Sequence, residues 1–201
     1  MIKAIIFDWG GVLHMIDSKG FRRDLSSRYG VDETLLEKIE IKERLKMDSG
    51  EINVDEYLNN INSQLKIKLN EKDYYDLFFS KYVKLNKVLL NLIKKLKKNN
   101  YKLFILSNNN PFFYKYMKKT TEFESIFDKI ILSFQEKNKK PNISFFLKVL
   151  EKTDIEPQEA IFVDDREEYK GIVRKIGMKF LLFRNNKQLK QDFIKLNIKI
   201  N

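Results

Sequence analysis

Five side chains stand just beyond short apolar runs and carry the groups that phosphoryl transfer needs. Asp8 follows Ala4–Phe7, and Ser107 follows Leu103–Leu106. Lys140 comes seven residues after Ser133, which itself follows Lys129–Leu132, and Asp164-Asp165 follows Ala160–Val163. Three carboxylates brought together repel one another unless a cation lies between them, and hard oxygen ligands without His or Cys suit Mg²⁺. A carboxylate beside Mg²⁺, with hydroxyl and ammonium donors, meets the requirements of phosphoryl transfer through an aspartyl phosphate. Competing chemistries are few. The chain has no Cys, which excludes a disulfide framework, a thiolate zinc site, an iron–sulfur cluster and a cysteine nucleophile. Its one His, His14, excludes poly-histidine metal sites and leaves any Ser-His-Asp triad a single imidazole.

These residues converge only if the apolar runs are neighbouring parallel strands, because ligands of open parallel sheets sit beyond the carboxyl ends of the strands. Each run is short, apolar and closed by a polar residue, as buried parallel strands are. A fifth run, Phe180–Phe183, precedes Arg184. Helical periodicity fills the intervals at Lys87–Lys98, Pro111–Lys118, Ile143–Lys152 and Glu167–Ile176. The alternation predicts an α/β fold, a Rossmann-like parallel sheet sandwiched by helices. Residues 16–84 break the rhythm with no convincing strand. Amphipathic stretches near Gly20–Arg28, Glu33–Met47, Val54–Leu65 and Asp73–Val83 replace it, with a stop at Asp48-Ser49-Gly50 and a capping-box start at Asn53 and Glu56. The expected organisation is an all-helical cap domain, 16–84, inserted into a discontinuous core of 1–15 and 85–201.

The net charge is +11, from 39 Lys+Arg against 28 Asp+Glu, and invites a nucleic-acid reading. Composition favours a different cause, since 32 of the 39 cations are Lys, Asn occurs 18 times and Ala twice. Residues with A/T-rich codons are abundant, a bias that loads solvated positions with Lys whatever the protein does. No nucleic-acid partner is expected. The N-terminal apolar run is too short for a signal peptide, and no run approaches the ~20 apolar residues of a membrane span. A soluble, cytoplasmic protein is expected, with the oligomeric state, monomer or homodimer, left open.

With the elements in order, four motifs resemble those of the haloacid dehalogenase (HAD) superfamily, in the subfamily I branch with a helical C1 cap that includes phosphatases and the phosphatase part of epoxide hydrolases. They are Ile5-Ile6-Phe7-Asp8-Trp9-Gly10-Gly11-Val12-Leu13, Phe104-Ile105-Leu106-Ser107-Asn108-Asn109, Ser133 with Lys140-Pro141, and Ile161-Phe162-Val163-Asp164-Asp165. The cap adds Ser49-Gly50-Glu51-Ile52 leading into Val54-Asp55-Glu56-Tyr57. The resemblance implies that Asp8 is the nucleophile and that Mg²⁺ is held by Asp8, the Gly10 carbonyl and Asp165, with Asp164 as a further or outer ligand. It implies that Ser107, the Asn108 amide and Lys140 hold the phosphoryl oxygens, and that a helix beginning near Pro111 aims its amides at the same space. The implied substrate is a small phosphorylated metabolite, with sugar phosphates first to test.

The pattern departs from the family in two places. Phosphatases of the family usually carry a second Asp two residues after the nucleophile as general acid and base, worth ~10²–10⁴-fold, and here that residue is Gly10. Glu167, Glu168 or an ordered water are the available substitutes. Beyond the fourth motif, Arg166 and Tyr169 stand where small polar or Asn residues are common. The alternatives to a phosphatase are a metal-independent 2-haloacid dehalogenase and a HAD-fold domain that binds a ligand or partner with little turnover. Elsewhere His14 and Trp9 read as packing near the cap hinge, and Arg44 reads first as part of a solvated helix face.

Overall fold

A computed structural model describes residues 1–120, 123–151 and 153–200. The last residue of the expected Ile143–Lys152 helix, and Asn201 of the expected core, lie outside the described residues. Ala4–Phe7 forms β1, whose four residues are all buried, as a strand covered on both faces requires. The chain then passes through β2 (His14–Ile16) into four helices, α1 (Ser18–Tyr29), α2 (Glu33–Asp48), α3 (Val54–Leu65) and α4 (Glu71–Leu77). A short π-helical turn, Phe78–Tyr82, leads into β3 (Val83–Leu85).

The second half alternates strand and helix. It runs through α5 (Lys87–Lys98), β4 (Lys102–Ser107), α6 (Pro111–Thr120), α7 (Phe123–Ile126), β5 (Lys129–Leu132), α8 (Ser133–Glu136) and α9 (Ile143–Leu147). It ends with β6 (Ala160–Asp164), α10 (Lys170–Ile176), β7 (Lys179–Leu182) and α11 (Asn186–Lys195). The five-stranded sheet has the order β5-β4-β1-β6-β7, and every pairing is parallel. β1 lies at its centre, so Asp8 emerges between Ser107 at the end of β4 and Asp164 at the end of β6. Two buried clusters cover the sheet, one holding Ile5 and Phe7, the other Ala4 and Ile6. This is the period-2 alternation of a sheet sandwiched by helices.

Three expectations need correction. The segment 16–84 is not free of strand at its ends, because β2 and β3 pair antiparallel with His14 opposite Leu85 and Ile16 opposite Val83. Three-residue strands are too short to show alternation. The helix expected over 143–152 stops at Leu147, beyond which Leu150 donates only to Leu147, three residues back. The last strand lies one residue earlier than expected, at Lys179–Leu182.

Local signals hold the helical insertion together. α3 begins with the expected capping box, in which Asn53 Oδ1 accepts from the Glu56 N–H and Glu56 Oε2 accepts from the Asn53 N–H. The insertion meets the core along an aromatic seam, with Tyr74 stacked on Phe112 at 4.7 Å between centroids and Phe79 on Tyr116 at 4.6 Å. A second junction lies at the end of α2. Gly50 has φ +71°, and a Cβ there would lie 2.4 Å from the Phe134 carbonyl oxygen, so the turn docks against the core only because it lacks a side chain.

Candidate active site

Lys140 is the charged centre of the strand-end cluster. Its Nζ donates to Asp164 Oδ2 at 2.6 Å and lies 3.1 Å from Asp8 Oδ1, with all three side chains nearly inaccessible to solvent. Below it are the rings of Phe162 and Tyr169, at 5.3 and 4.9 Å. Burial alone would lower the ammonium's pKa, but the carboxylates of Asp8 and Asp164 outweigh it and hold the pKa above its ordinary value. The lysine is placed by its own peptide group. Asn108 Oδ1 accepts from the Lys140 N–H at 2.8 Å and Asn108 Nδ2 donates to the Lys140 carbonyl at 3.0 Å. With the Asn108 side chain engaged in this way, its main-chain N–H is the amide left to consider for a ligand.

Three acids surround this one cation. Carboxylate oxygens of Asp8, Asp164 and Asp165 all lie within 4.8 Å of one another. Asp8 Oδ1 is buried and, among the described residues, has the Lys140 ammonium at 3.1 Å beside it but no hydrogen-bond partner. Burial, and then the Asp8 charge, push the Asp164 carboxyl up to about 7 against the opposing pull of Lys140. Asp165 is raised by the same two causes in the same order. The donor set is entirely hard oxygen and carries an excess of negative charge, which fits Mg²⁺. The loop after β1 approaches this set closely, since Gly11 has φ +77° and a Cβ on it would lie 2.2 Å from Asp165 Oδ2. Ser107, the last residue of β4, is buried beside them.

The structure separates other candidates from this cluster. Glu167 pairs with Lys170 at 3.2 Å and Glu168 with Arg166 at 2.5 Å, all on the exposed rim, so neither stands in for the carboxylate missing at Gly10. Tyr169 is buried under Lys140, with Arg166 stacked on it at 5.3 Å. At the start of α6, the N–H groups of Phe112 and Phe113 donate to Asn110 Oδ1 at 3.2 and 3.4 Å. Those two amides are therefore satisfied within the chain, not aimed at a ligand as expected. Ser133 is also structural, its Oγ accepting from the Asn109 N–H at 2.9 Å and donating to the Asp48 carbonyl.

His14 and Trp9 pack as expected, with ring centroids 4.5 Å apart and nearly parallel planes. Among the described residues neither imidazole nitrogen has a hydrogen-bond partner, and burial pulls the His14 pKa down to about 3. Arg44 is the main surprise. It lies between Glu40 and Asp48 on one face of α2, its Nε donating to Glu40 Oε1 at 3.1 Å and its Nη1 to Asp48 Oδ2 at 2.9 Å. Both acids are buried while Arg44 keeps 34% of its side chain accessible, so this face is only partly solvated. It looks into a cavity of about 170 Å³ shared with Gly10 and with Asn108, Asn109 and Asn110. The Asn110 Nδ2 donates to Asp48 Oδ1 at 2.8 Å and ties the row to the core. The i, i+4, i+8 spacing of these three residues was the available sign that they share one face.

The wider likeness of the chain agrees with this geometry. The profile of the haloacid dehalogenase-like hydrolase family matches residues 5–183. The chain is 25% identical over 201 residues to a D-ribitol-5-phosphate phosphatase of Bacteroides thetaiotaomicron, covering 96% of this chain and 97% of that one. It is 33% identical over 102 residues to a glyceraldehyde 3-phosphate phosphatase of Pyrococcus furiosus, covering 49% of this chain and 41% of that one. Among solved structures, a HAD family enzyme of Bacteroides thetaiotaomicron in complex with magnesium and inorganic phosphate superposes with a TM-score of 0.81 at 25% identity, covering 94% of this chain and 99% of that one. No described helix is long and apolar enough to cross a membrane. By a match that takes in both the buried sheet and the cap, the chain belongs to the haloacid dehalogenase-like hydrolase family.

Proposed function

We propose that this protein is a Mg²⁺-dependent phosphatase of small phosphorylated metabolites, sugar phosphates foremost, acting in the cytoplasm through an aspartyl phosphate on Asp8. In this reading residues 16–84 are the cap and residues 1–15 and 85–201 the core. The observation that carries it is Lys140 Nζ set between Asp8 and Asp164, with a third acid in reach. The names of the relatives support the same reaction class.

The chain's residues divide the work by position. Asp8 Oδ attacks phosphorus, the ester P–O bond breaks and the leaving oxygen takes a proton from water as the alcohol departs; a second water then cleaves the aspartyl phosphate, giving its proton to solvent, restoring the Asp8 carboxylate and releasing phosphate. Asp8, the Gly10 carbonyl and Asp165 hold the ion, and Asp164 orients Lys140 and completes the acidic set. Bound there, Mg²⁺ supplies Lewis-acid neutralisation of the phosphoryl oxygens and of the clustered carboxylates. Lys140, the Ser107 hydroxyl and the Asn108 main-chain N–H stabilise charge on the phosphoryl oxygens as it moves. Gly10 offers no acid for the leaving oxygen, so the proton that a sugar or polyol alkoxide takes up comes from water, and p-nitrophenyl phosphate, whose leaving group needs none, is the most sensitive probe of turnover.

The test is phosphate release from p-nitrophenyl phosphate and a metabolite phosphate panel, with and without Mg²⁺, by wild type and Asp8→Asn. Mg²⁺-dependent release that is lost in Asp8→Asn supports the proposal. Equal silence of two folded proteins overturns it in favour of a binding domain. Metal-independent chloride release from haloacids would make the protein a dehalogenase.

A further inference from the structure

The cavity between cap and core has a chemical bias that the strand-end cluster does not explain. Arg44 is held there by two buried carboxylates, with Nε and Nη1 engaged and Nη2 making no hydrogen bond among the described residues. The acids have little left to offer. Asp48 uses its other oxygen on Asn110, and Glu40 Oε2 is buried 3.5 Å from Arg22 Nη1. Arg22 is shared in turn with Glu37 at 2.5 Å. At the cavity two carboxylates face one guanidinium, so the Nη2 presented to it is a directed hydrogen-bond donor without net positive charge around it. An incoming carboxylate or second phosphate meets no surplus cation to compensate its desolvation. A hydroxyl or carbonyl oxygen loses little and gains a fixed donor.

Size is compatible with such a tail. The cavity's volume of about 170 Å³ is close to that of one that holds benzene, so a tail of roughly three to five carbons with its oxygens fits, and the cavity is open to solvent on one side. The cavity reaches Gly10 and Asn108, next to the strand-end groups, so a tail lying in it extends from an ester held at Asp8.

Resting on the phosphatase reading above, we infer that Arg44 is a specificity-determining residue that selects a short, hydroxylated, uncharged tail, making acyclic polyol and small sugar monophosphates the substrate class. Glu40 and Asp48 are positioning residues that set both the direction of the fork and its charge balance.

The experiment measures kcat/KM in Mg²⁺ for glycerol 3-phosphate, ribitol 5-phosphate, 3-phosphoglycerate, farnesyl phosphate and p-nitrophenyl phosphate. It uses wild type, Arg44→Lys and Glu40→Gln, with circular dichroism and melting curves reporting the fold. Wild type is expected to prefer the polyol phosphates over the carboxylate-bearing and isoprenoid esters by about tenfold or more, the value of one good hydrogen bond to a charged group. Arg44→Lys keeps the charge, loses the fork, and lowers the polyol phosphates by about tenfold, mainly through KM and by more than p-nitrophenyl phosphate. Glu40→Gln removes one negative charge and shifts selectivity toward 3-phosphoglycerate, a change that loss of packing does not produce.

Equal falls for every ester in both variants, or a wild type that takes farnesyl phosphate as readily as ribitol 5-phosphate, would overturn the assignment. Calorimetric binding of ribitol 5-phosphate and of inorganic phosphate to Mg²⁺-loaded protein keeps it testable without turnover. If wild type hydrolyses nothing yet binds ribitol 5-phosphate tighter than phosphate in an Arg44-dependent way, the phosphatase reading fails and the specificity assignment stands. If ribitol 5-phosphate binds no tighter than phosphate, the specificity assignment fails whatever the turnover.

Discussion

Two rows of charge face each other across the junction of core and cap, and they solve burial in opposite ways. At the strand ends, three acids share one ammonium and leave a buried oxygen without a hydrogen bond. On α2, two acids enclose one guanidinium, and a core asparagine takes up a further carboxylate oxygen. The first arrangement is unbalanced and calls for a divalent cation, whereas the second is close to balance and calls for a neutral polar ligand. A buried acid is thus informative through what its neighbours leave unpaired more than through its own presence.

The widest separation of the two rows comes from Asp8→Asn, which removes the proposed nucleophile and should lower kcat for p-nitrophenyl phosphate by at least ~10³-fold, while substitutions in the α2 row should change selectivity among esters. A smaller effect follows from metal. Mg²⁺ at 100 times its Kd should stabilise the fold by about 2.7 kcal/mol, read as a rise in Tm. Asp165→Asn should abolish most of that rise and Glu40→Gln should retain it; loss of the rise in both would break the distinction.

The hinge between the rows supplies a third test. His14 has a folded pKa of about 3 against an ordinary value of 6.5, so the unfolded chain binds the proton first as pH falls. Its contribution to stability is therefore intact above pH 6.5 and is lost progressively from there toward pH 3. At pH 5 the loss is about 2 kcal/mol, and denaturant titrations of His14→Phe should show a flatter pH profile over that window. The smallest effect expected is for Asn110→Ala, which removes the cap of α6 and one partner of Asp48. It should cost about 1–2 kcal/mol in urea denaturation and leave the Mg²⁺ shift in place.

The core was readable because its strands obey a simple code. Ala4–Phe7 and Ala160–Val163 are apolar throughout and each is followed by an acid, which marks Asp8 and Asp164 as strand-end residues, whereas the adjacency of their strands emerges only from the pairing of β1 with β6. Lys140 stood out among 32 lysines through its spacing from Ser133 and its following proline. Arg44 was hidden by the same reasoning that found the core. A polar stripe at helical spacing has one appearance in sequence whether it faces water or a charged cavity, and only the packing of α2 against the Asn108–Asn110 turn distinguishes them. The duty of Asn108 toward the Lys140 peptide was equally silent, since it joins residues 32 positions apart. The ribbon of β2 and β3 escaped because three residues carry too little periodicity.

That ribbon makes the cap a module. Ile16 and Val83, where the chain leaves and re-enters the core, are directly opposed partners in an antiparallel pair. Such a pair is the geometry that a two-residue hairpin closes. The chain between them leaves and returns at one point beside the sheet that carries Asp8, and it is held there besides by the Tyr74–Phe112 and Phe79–Tyr116 stacks and the Gly50 contact with Phe134. In the proposed reading, the reacting groups and the groups that choose among substrates thus lie on separate stretches of the chain, joined at one pair of opposed residues.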